Sequence, residues 1–264
     1  NPANPRLVAA GILDPRAGTH DLWLLNLQDD SVSPVTTTRG FTGNPVWSPD
    51  GARLAYAYQP PGQLDDVWIK DRRTGRNEPV FETPKVLDHP LGWSHDDRYL
   101  LFYSEEADGT RLSCWSFASR GVTPFTVRNV GQAGVFSPDD RYVAFTGRES
   151  NREEVYVTTF PDRLRTWPLT TEGGRVLSWS KDGREILVGT RSGHIVTYPV
   201  SLEGGFSPGQ PTILVRDVGV MATFATATRD HSRILIRVSP DAAKDKGEIR
   251  LLFGWQDDLR QGKR

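Results

Sequence analysis

Groups capable of chemistry are present in this chain, but they are scattered. Five histidines, His20, His89, His95, His194 and His231, follow no metal-ligand pattern. The single cysteine, Cys114, has no evident histidine partner to activate its thiol, so it reads as a small strand residue. One cysteine also rules out an intrachain disulfide framework and leaves the redox compartment open. Gly92-Trp93-Ser94-His95-Asp96 comes nearest to a nucleophile elbow, the tight turn that presents a reactive serine, but it lacks the closing glycine. No glycine-rich phosphate loop, His-Arg-Asp loop or Asp-Phe-Gly triplet occurs. These residues nominate no catalytic group, no metal site and no cofactor, and the expectation is a domain that is not itself an enzyme.

Aspartate does recur at a fixed interval. The phrase Trp47-Ser48-Pro49-Asp50-Gly51 returns as Trp93-Ser94-His95-Asp96-Asp97, Phe136-Ser137-Pro138-Asp139-Asp140 and Trp179-Ser180-Lys181-Asp182-Gly183. The aspartates lie 46, 43 and 43 residues apart, and a degenerate copy follows 48 residues on at Asp230. Stepping back from Asp50 by 47 residues reaches Ala3, ahead of the strand-like Arg6-Leu7-Val8-Ala9. Six registers of about 44 residues are the signature of stacked repeats. Four aspartates in four like turns invite a metal-ring reading, but one per repeat unit favours a structural role. Proline presets φ for a tight turn, aspartate bonds its own backbone, and glycine takes the left-handed position. The aromatic at the head of each phrase is expected to pack between neighbouring units.

The elements around this phrase are short. An apolar strand enters it and a second leaves, as in Arg141-Tyr142-Val143-Ala144-Phe145. A third follows 14–21 residues beyond the turn, as in Val67-Trp68-Ile69 and Val155-Tyr156-Val157, and a weaker fourth precedes the next unit, as in Ser33–Thr36 and Trp167–Thr170. Strands of this kind, rich in β-branched and aromatic residues and separated by Gly, Pro and Asp, predict an all-β chain. Four strands per 44 residues suit a propeller blade. The expected architecture is one six-bladed β-propeller domain of four-stranded antiparallel blades over 1–264, with repeats near 1–40, 41–86, 87–130, 131–173, 174–218 and 219–264. About 22 strands are expected where six full blades need about 24, so the first and last blades fall short of a full set.

The totals exclude several classes. With 32 basic and 33 acidic residues, formal charge −1, there is no general drive towards nucleic acid or an anionic membrane. The longest apolar stretch, near Leu7–Leu13, is far short of a membrane span. The start at Asn1 without methionine reads as a processed protein or an excised domain, and the strand count favours an excised C-terminal domain.

With these residues set out, the pattern resembles the TolB-like six-bladed propeller, also called the WD40-like Pro-Asp repeat, over essentially the whole chain. A narrower resemblance lies in Phe136–Phe145, Glu149-Ser150-Asn151, Glu154–Pro161 and the ending Ile249–Arg260. These stretches look like the propellers attached to bacterial eukaryotic-type serine/threonine kinases. The resemblance implies a sensor or protein-interaction domain of a bacterial signalling protein, outside the cytoplasmic membrane. A stand-alone TolB-like envelope protein that binds a partner is the first alternative. A metal-dependent propeller hydrolase or lyase is the second; lactonase-like enzymes gather Glu, Asn and Asp at a channel metal, and no local motif here nominates such a set.

A binding site can be placed by geometry. In an up-down blade, the loops into the inner strands emerge opposite the Ser-Pro-Asp-Gly turns. The turn residues Trp47, Asp50, Trp93, Asp96, Phe136, Asp139, Trp179 and Asp182 are therefore expected to be structural. The inner-strand openings ring the channel mouth, and the candidate ligand contacts there are Asn44, His89, Gln132, Arg175, Thr223 and Phe224. Mixed polar and apolar groups at a concave mouth suit a protein, peptide or small-molecule ligand. Nucleic acid and direct membrane insertion are not expected.

Overall fold

The computed structural model describes residues 1–14, 18–38, 40–83, 86–148, 152–216, 225–228, 230–238 and 248–253. Every regular element among them is a β-strand, and the chain divides into two compact units, Asn1–Arg128 and Asn129–Arg264.

The first unit opens with β1 (Leu7–Asp14), β2 (Thr19–Asn26) and β3 (Ser31–Pro34), paired antiparallel in chain order. Next come β4 (Phe41–Trp47), β5 (Arg53–Gln59), β6 (Asp66–Asp71) and β7 (Asn77–Pro79), again antiparallel neighbours. One parallel bridge, His20 to Phe41, ties these two groups into a single sheet. The unit ends with β8 (Leu87–Trp93), β9 (Tyr99–Glu106), β10 (Gly109–Ser116) and β11 (Gly121–Arg128).

The second unit repeats this plan. It holds β12 (Val130–Phe136), β13 (Tyr142–Gly147), β14 (Glu154–Thr159) and β15 (Thr166–Pro168) in one antiparallel sheet. In the next, β16 (Arg175–Trp179), β17 (Glu185–Gly189) and β18 (Ile195–Ser201) pair in order, and β19 (Ser207–Pro208) and β20 (Thr212–Val215) both pair with β18. Three further strands, β21 (Thr226–Ala227), β22 (Arg233–Val238) and β23 (Glu248–Phe253), form the last sheet.

One hydrogen-bonded device turns the hairpins β4–β5, β8–β9, β12–β13, β16–β17 and β21–β22. The Ser137 hydroxyl donates to Asp139 Oδ1 at 2.6 Å and accepts the Tyr142 N–H at 2.9 Å, while the Arg141 N–H reaches the same carboxylate oxygen at 3.2 Å. Ser48 with Asp50, Ser94 with Asp96 and Ser180 with Asp182 repeat the bond at 2.5–2.7 Å, and Thr228 with Asp230 repeats it at 2.6 Å. Ser48, Ser94 and Ser137 are fully buried, so these hydroxyls have no water to fall back on. The bond from Ser48 holds the Asp50 carboxyl below the usual range, Ser180 does the same for Asp182, and Thr228 pulls Asp230 down to about 2. The following position is left-handed: Gly51 and Gly183 take it freely, and Asp97 and Asp140 take it at φ 64° and 55°.

A second device works at the other end of the sheets. The weak fourth strands stop two residues short of their predicted limits, at Pro34 and Pro168, because the next threonines leave the ladder. Thr36 donates to Asp21 at 2.9 Å and accepts the Leu22 N–H at 2.9 Å; Thr170 donates to Glu154 at 2.5 Å and accepts the Val155 N–H at 2.9 Å. Each acid also caps the chain beyond: the Thr38 N–H donates to Asp21 and the Gly173 N–H to Glu154.

Apolar side chains fill the space between successive sheets within each unit. Trp93 packs with Ala55, Val67, Leu100 and Phe102, and its indole N–H donates to the Val46 carbonyl at 3.2 Å. Trp179 packs with Tyr142, Ala144, Val155 and Phe206. Arg53 lies over the Trp93 ring at 4.7 Å and pairs with Asp97 of the next sheet, so the basic residue after the turn reinforces the same junction.

Replacing Ser137 by alanine strands the Tyr142 N–H and removes a donor from Asp139. The expected loss of stability is about 1–3 kcal/mol by denaturant unfolding, with the far-ultraviolet spectrum unchanged. A loss below about 0.5 kcal/mol would show that the hydroxyl is not what fixes the turn.

Candidate functional site

The ends at which the inner strands open are set by bulges. Pairing shifts register between Gly43 and Val46 in β4, Pro90 and Gly92 in β8, Val130 and Gly134 in β12, and Val176 and Ser178 in β16. An extra residue there re-aims the side chains just before it. Asn44 lies within the first bulge, exposed and left-handed at φ 51°. Thr223 and Phe224 lie outside the described residues.

In the first unit His89 Nδ1 stands 3.7 Å from Asp65 Oδ2, with both side chains about 15% exposed. The adjoining Asp88 N–H donates to the Asp65 carbonyl at 2.9 Å, so the two sheets are stitched at this point. Tyr103 flanks His89 at 6.1 Å between rings and donates its hydroxyl to Glu105 at 2.9 Å. Burial pushes His89 below the usual histidine range even though Asp65 and Glu105 pull it upward. Burial likewise raises Asp65. On the neighbouring sheet, His20 stacks on Phe41 at 4.2 Å and bonds the Thr42 carbonyl through Nδ1.

Beside this junction Asp88 is 1% exposed and accepts the Ser104 hydroxyl at 2.5 Å. Burial pushes its carboxyl up to about 6, against the hydrogen bonds from Ser104 and Thr83 and the attraction of Arg111; Asp66 pushes the same way.

In the second unit the structure brings Gln132 and Arg175 together: the Arg175 guanidinium donates to the Gln132 carbonyl. Glu153 stands at the same junction. Its carbonyl accepts the Gly174 N–H at 2.8 Å, and its carboxylate accepts Arg148 Nη2–H at 2.8 Å and Nε–H at 3.1 Å. Burial works against the charge on Arg175, Glu153 supports it, and Arg148 opposes it. Asp65 and Glu153 are not among the candidate contacts, although each closes a loop that the sequence places on the face of the inner-strand openings, immediately before the acid, Asp66 or Glu154, that opens the third strand.

A serine, a histidine and a carboxylate also meet in the second unit. Ser178 Oγ lies 3.0 Å from His231 Nε2, and His231 Nδ1 lies 3.6 Å from Glu185. The repeat register explains this contact. Glu185 and Arg53 each follow their turn aspartate by three residues, and His231 and Asp97 each follow theirs by one, so the group joins adjacent sheets as Arg53 and Asp97 do. His231 is 1% exposed, and burial pulls it down to about 4 against Asp182 and Asp230.

Among the described residues no group of three His, Cys, Asp or Glu side chains could hold a metal ion, and no helix is long and apolar enough to cross a membrane.

No family model matches the chain. TolB from Acinetobacter baumannii superposes with a TM-score of 0.74 at 16% identity, over 93% of this chain and 60% of that one. An oligogalacturonate lyase in complex with manganese superposes with a TM-score of 0.58 at 16% identity, over 91% of this chain and 69% of that one. The fold is that of the β-propellers. In sequence, the uncharacterized peptidase YuxL of Bacillus subtilis (strain 168) is 27% identical over 184 residues, 67% of this chain and 26% of the relative. The chain thus spans about a quarter of the length of that relative. These findings correct the expectation of a non-enzymatic domain, because a relative carries a peptidase name and an enzyme shares the fold. The physical reason is that a propeller's site is assembled from several blades or from an adjoining domain, so the lack of a local motif does not exclude chemistry.

The raised Asp88 carboxyl has a measurable consequence. Its folded pKa lies above the unfolded value, so the native state holds this proton more tightly; the contribution to stability is greatest in acid and is lost as pH rises through about 6. Asp88→Asn removes that loss. The stability advantage of the variant over the wild type should grow by about 1–3 kcal/mol between pH 4.5 and 7.5 in denaturant titrations. An advantage that does not change with pH would contradict this reading.

Proposed function

We propose that the chain is a recognition propeller that takes an extended peptide at the opening ends of its inner strands, as one module of a larger protein. The observation that carries this reading is the charged junction at one repeat position in both units: Asp65 with His89 in the first, and Glu153 close to Arg175 in the second. The repeat does not need charge there, because the equivalent position in β4 is Gly43. Neither the hairpin nor the threonine–acid contact requires ionisable groups at this position, and groups shifted by burial and a specific partner collect at functional sites. Phe41 and Leu64, 47% and 40% exposed, add apolar surface in the first unit. A peptide offers both kinds of partner, polar backbone groups and apolar side chains.

The peptidase relative supports a role in which this propeller admits or holds peptide for a catalytic domain elsewhere in the protein. A second reading shares the binding step. The resemblance of Phe136–Phe145 and Glu154–Pro161 to kinase-linked propellers favours a sensor of a membrane-anchored signalling protein, facing away from the cytoplasm. Capture would then change the association or orientation of the attached domain.

Combined replacement of His89, Gln132 and Arg175 by alanine tests the site. Retention on an immobilised pool of random pentapeptides should fall at least tenfold, with the unfolding midpoint within a few degrees of the wild type. Undiminished retention would remove these residues from the binding surface.

A further inference from the structure

One position of the second-unit junction carries the opposite charge to its counterpart in the first. Glu105 and Arg148 each lie nine residues beyond their turn aspartates, Asp96 and Asp139, so they occupy one repeat position. In the first unit that position adds an acid beside Asp65 and His89. In the second it adds a guanidinium beside Glu153 and Arg175. Glu153 therefore has two guanidinium groups near it, Arg148 and Arg175.

Three features mark Glu153 as a stand-in for an outside carboxylate. Its Oε1 accepts two N–H groups of Arg148, Nη2–H and Nε–H, so one carboxylate oxygen takes both charge-assisted bonds. Both side chains are well exposed, 48% for Arg148 and 37% for Glu153, so their pairing is weak in water and open to exchange. The carboxylate also lies against a bare stretch of strand: a Cβ on Gly131 would stand 3.1 Å from Glu153 Oε1 and 3.0 Å from Thr146 Cγ2, so a larger residue there would crowd it. Arg175, meanwhile, is anchored on the carbonyl of Gln132, the neighbour in sequence of the glycine that Glu153 lies against, which holds its guanidinium in place before any ligand arrives.

We infer that Arg148 and Arg175 form a carboxylate-binding subsite, which a carboxylate of the bound peptide enters by displacing Glu153. No covalent step is involved. The inference rests on the peptide-capture reading and names the group captured. The peptide can supply that carboxylate from its C-terminus or from an aspartate or glutamate side chain.

Three pentapeptide pools separate the outcomes when titrated against the full chain. One has free C-termini and no acidic residue, one is amidated with a single glutamate per peptide, and one is amidated with no acid. The first or second pool should bind at least tenfold more tightly than the third, and whichever does so identifies the source. Arg148→Gln and Arg175→Gln should each abolish that preference. Glu153→Gln, which keeps the shape but removes the internal competitor, should tighten binding of the preferred pool about threefold or more. Equal binding of all three pools would overturn the carboxylate subsite and leave peptide capture standing. Binding of none would overturn both. Should either arginine variant fail to fold, weaker binding by Glu153→Gln would by itself overturn the inference.

Discussion

At the hairpins β4–β5, β8–β9, β12–β13, β16–β17 and β21–β22 a hydroxyl donates to an aspartate two residues ahead and accepts the amide of the residue five ahead. Three of these serines are fully buried, so each hydroxyl satisfies backbone and carboxylate groups that would otherwise be stranded. The bond fixes the turn, and the turn fixes which residues of the two flanking strands face the neighbouring sheet. Trp93 then meets the Val46 carbonyl, and Arg53 spans to Asp97. Without the hydroxyl, the turn that sets the register of the aromatic and basic residues is held less tightly. The packing within each unit therefore draws on this polar contact as well as on apolar area.

The opposite ends of the sheets are held more economically. An acid and a threonine, Asp21 with Thr36 or Glu154 with Thr170, tie the third strand to the segment leaving the fourth. The bulge in the inner strand then shifts the register next to these positions and re-aims the side chains there. Those positions can vary in charge without disturbing the hairpins. The chain uses that freedom: glycine at 43, histidine at 89, glutamine at 132 and arginine at 175. The proposed recognition site lies where the fold has stopped dictating sequence.

This division governs what the sequence discloses. The turns recur because each copy solves the same local problem, so the all-β repeat could be read from Ser48, Ser94, Ser137 and Ser180 alone. His89 and Arg175 could be placed by counting back from the aromatics. Their partners could not, since Asp65 and Glu153 belong to the preceding sheet and meet them only across a junction that no local window contains. The Ser178, His231 and Glu185 contact was invisible for the same reason: 53 residues separate the serine from the histidine. Absence of a local motif also misled on catalysis, where likeness to a peptidase chain carries information that spacing does not.

Two structural ends with different duties therefore underlie the functional reading, in which peptide is taken where the inner strands open and not at the hairpins. Amide-resolved chemical-shift mapping of the labelled chain during titration with a bound pentapeptide tests this division most directly. The account predicts that the largest shifts fall at His89, Gln132, Arg148 and Arg175, while Ser94, Asp96, Ser137 and Asp139 stay still. Shifts concentrated at the hairpin turns, with the strand openings unmoved, would contradict it.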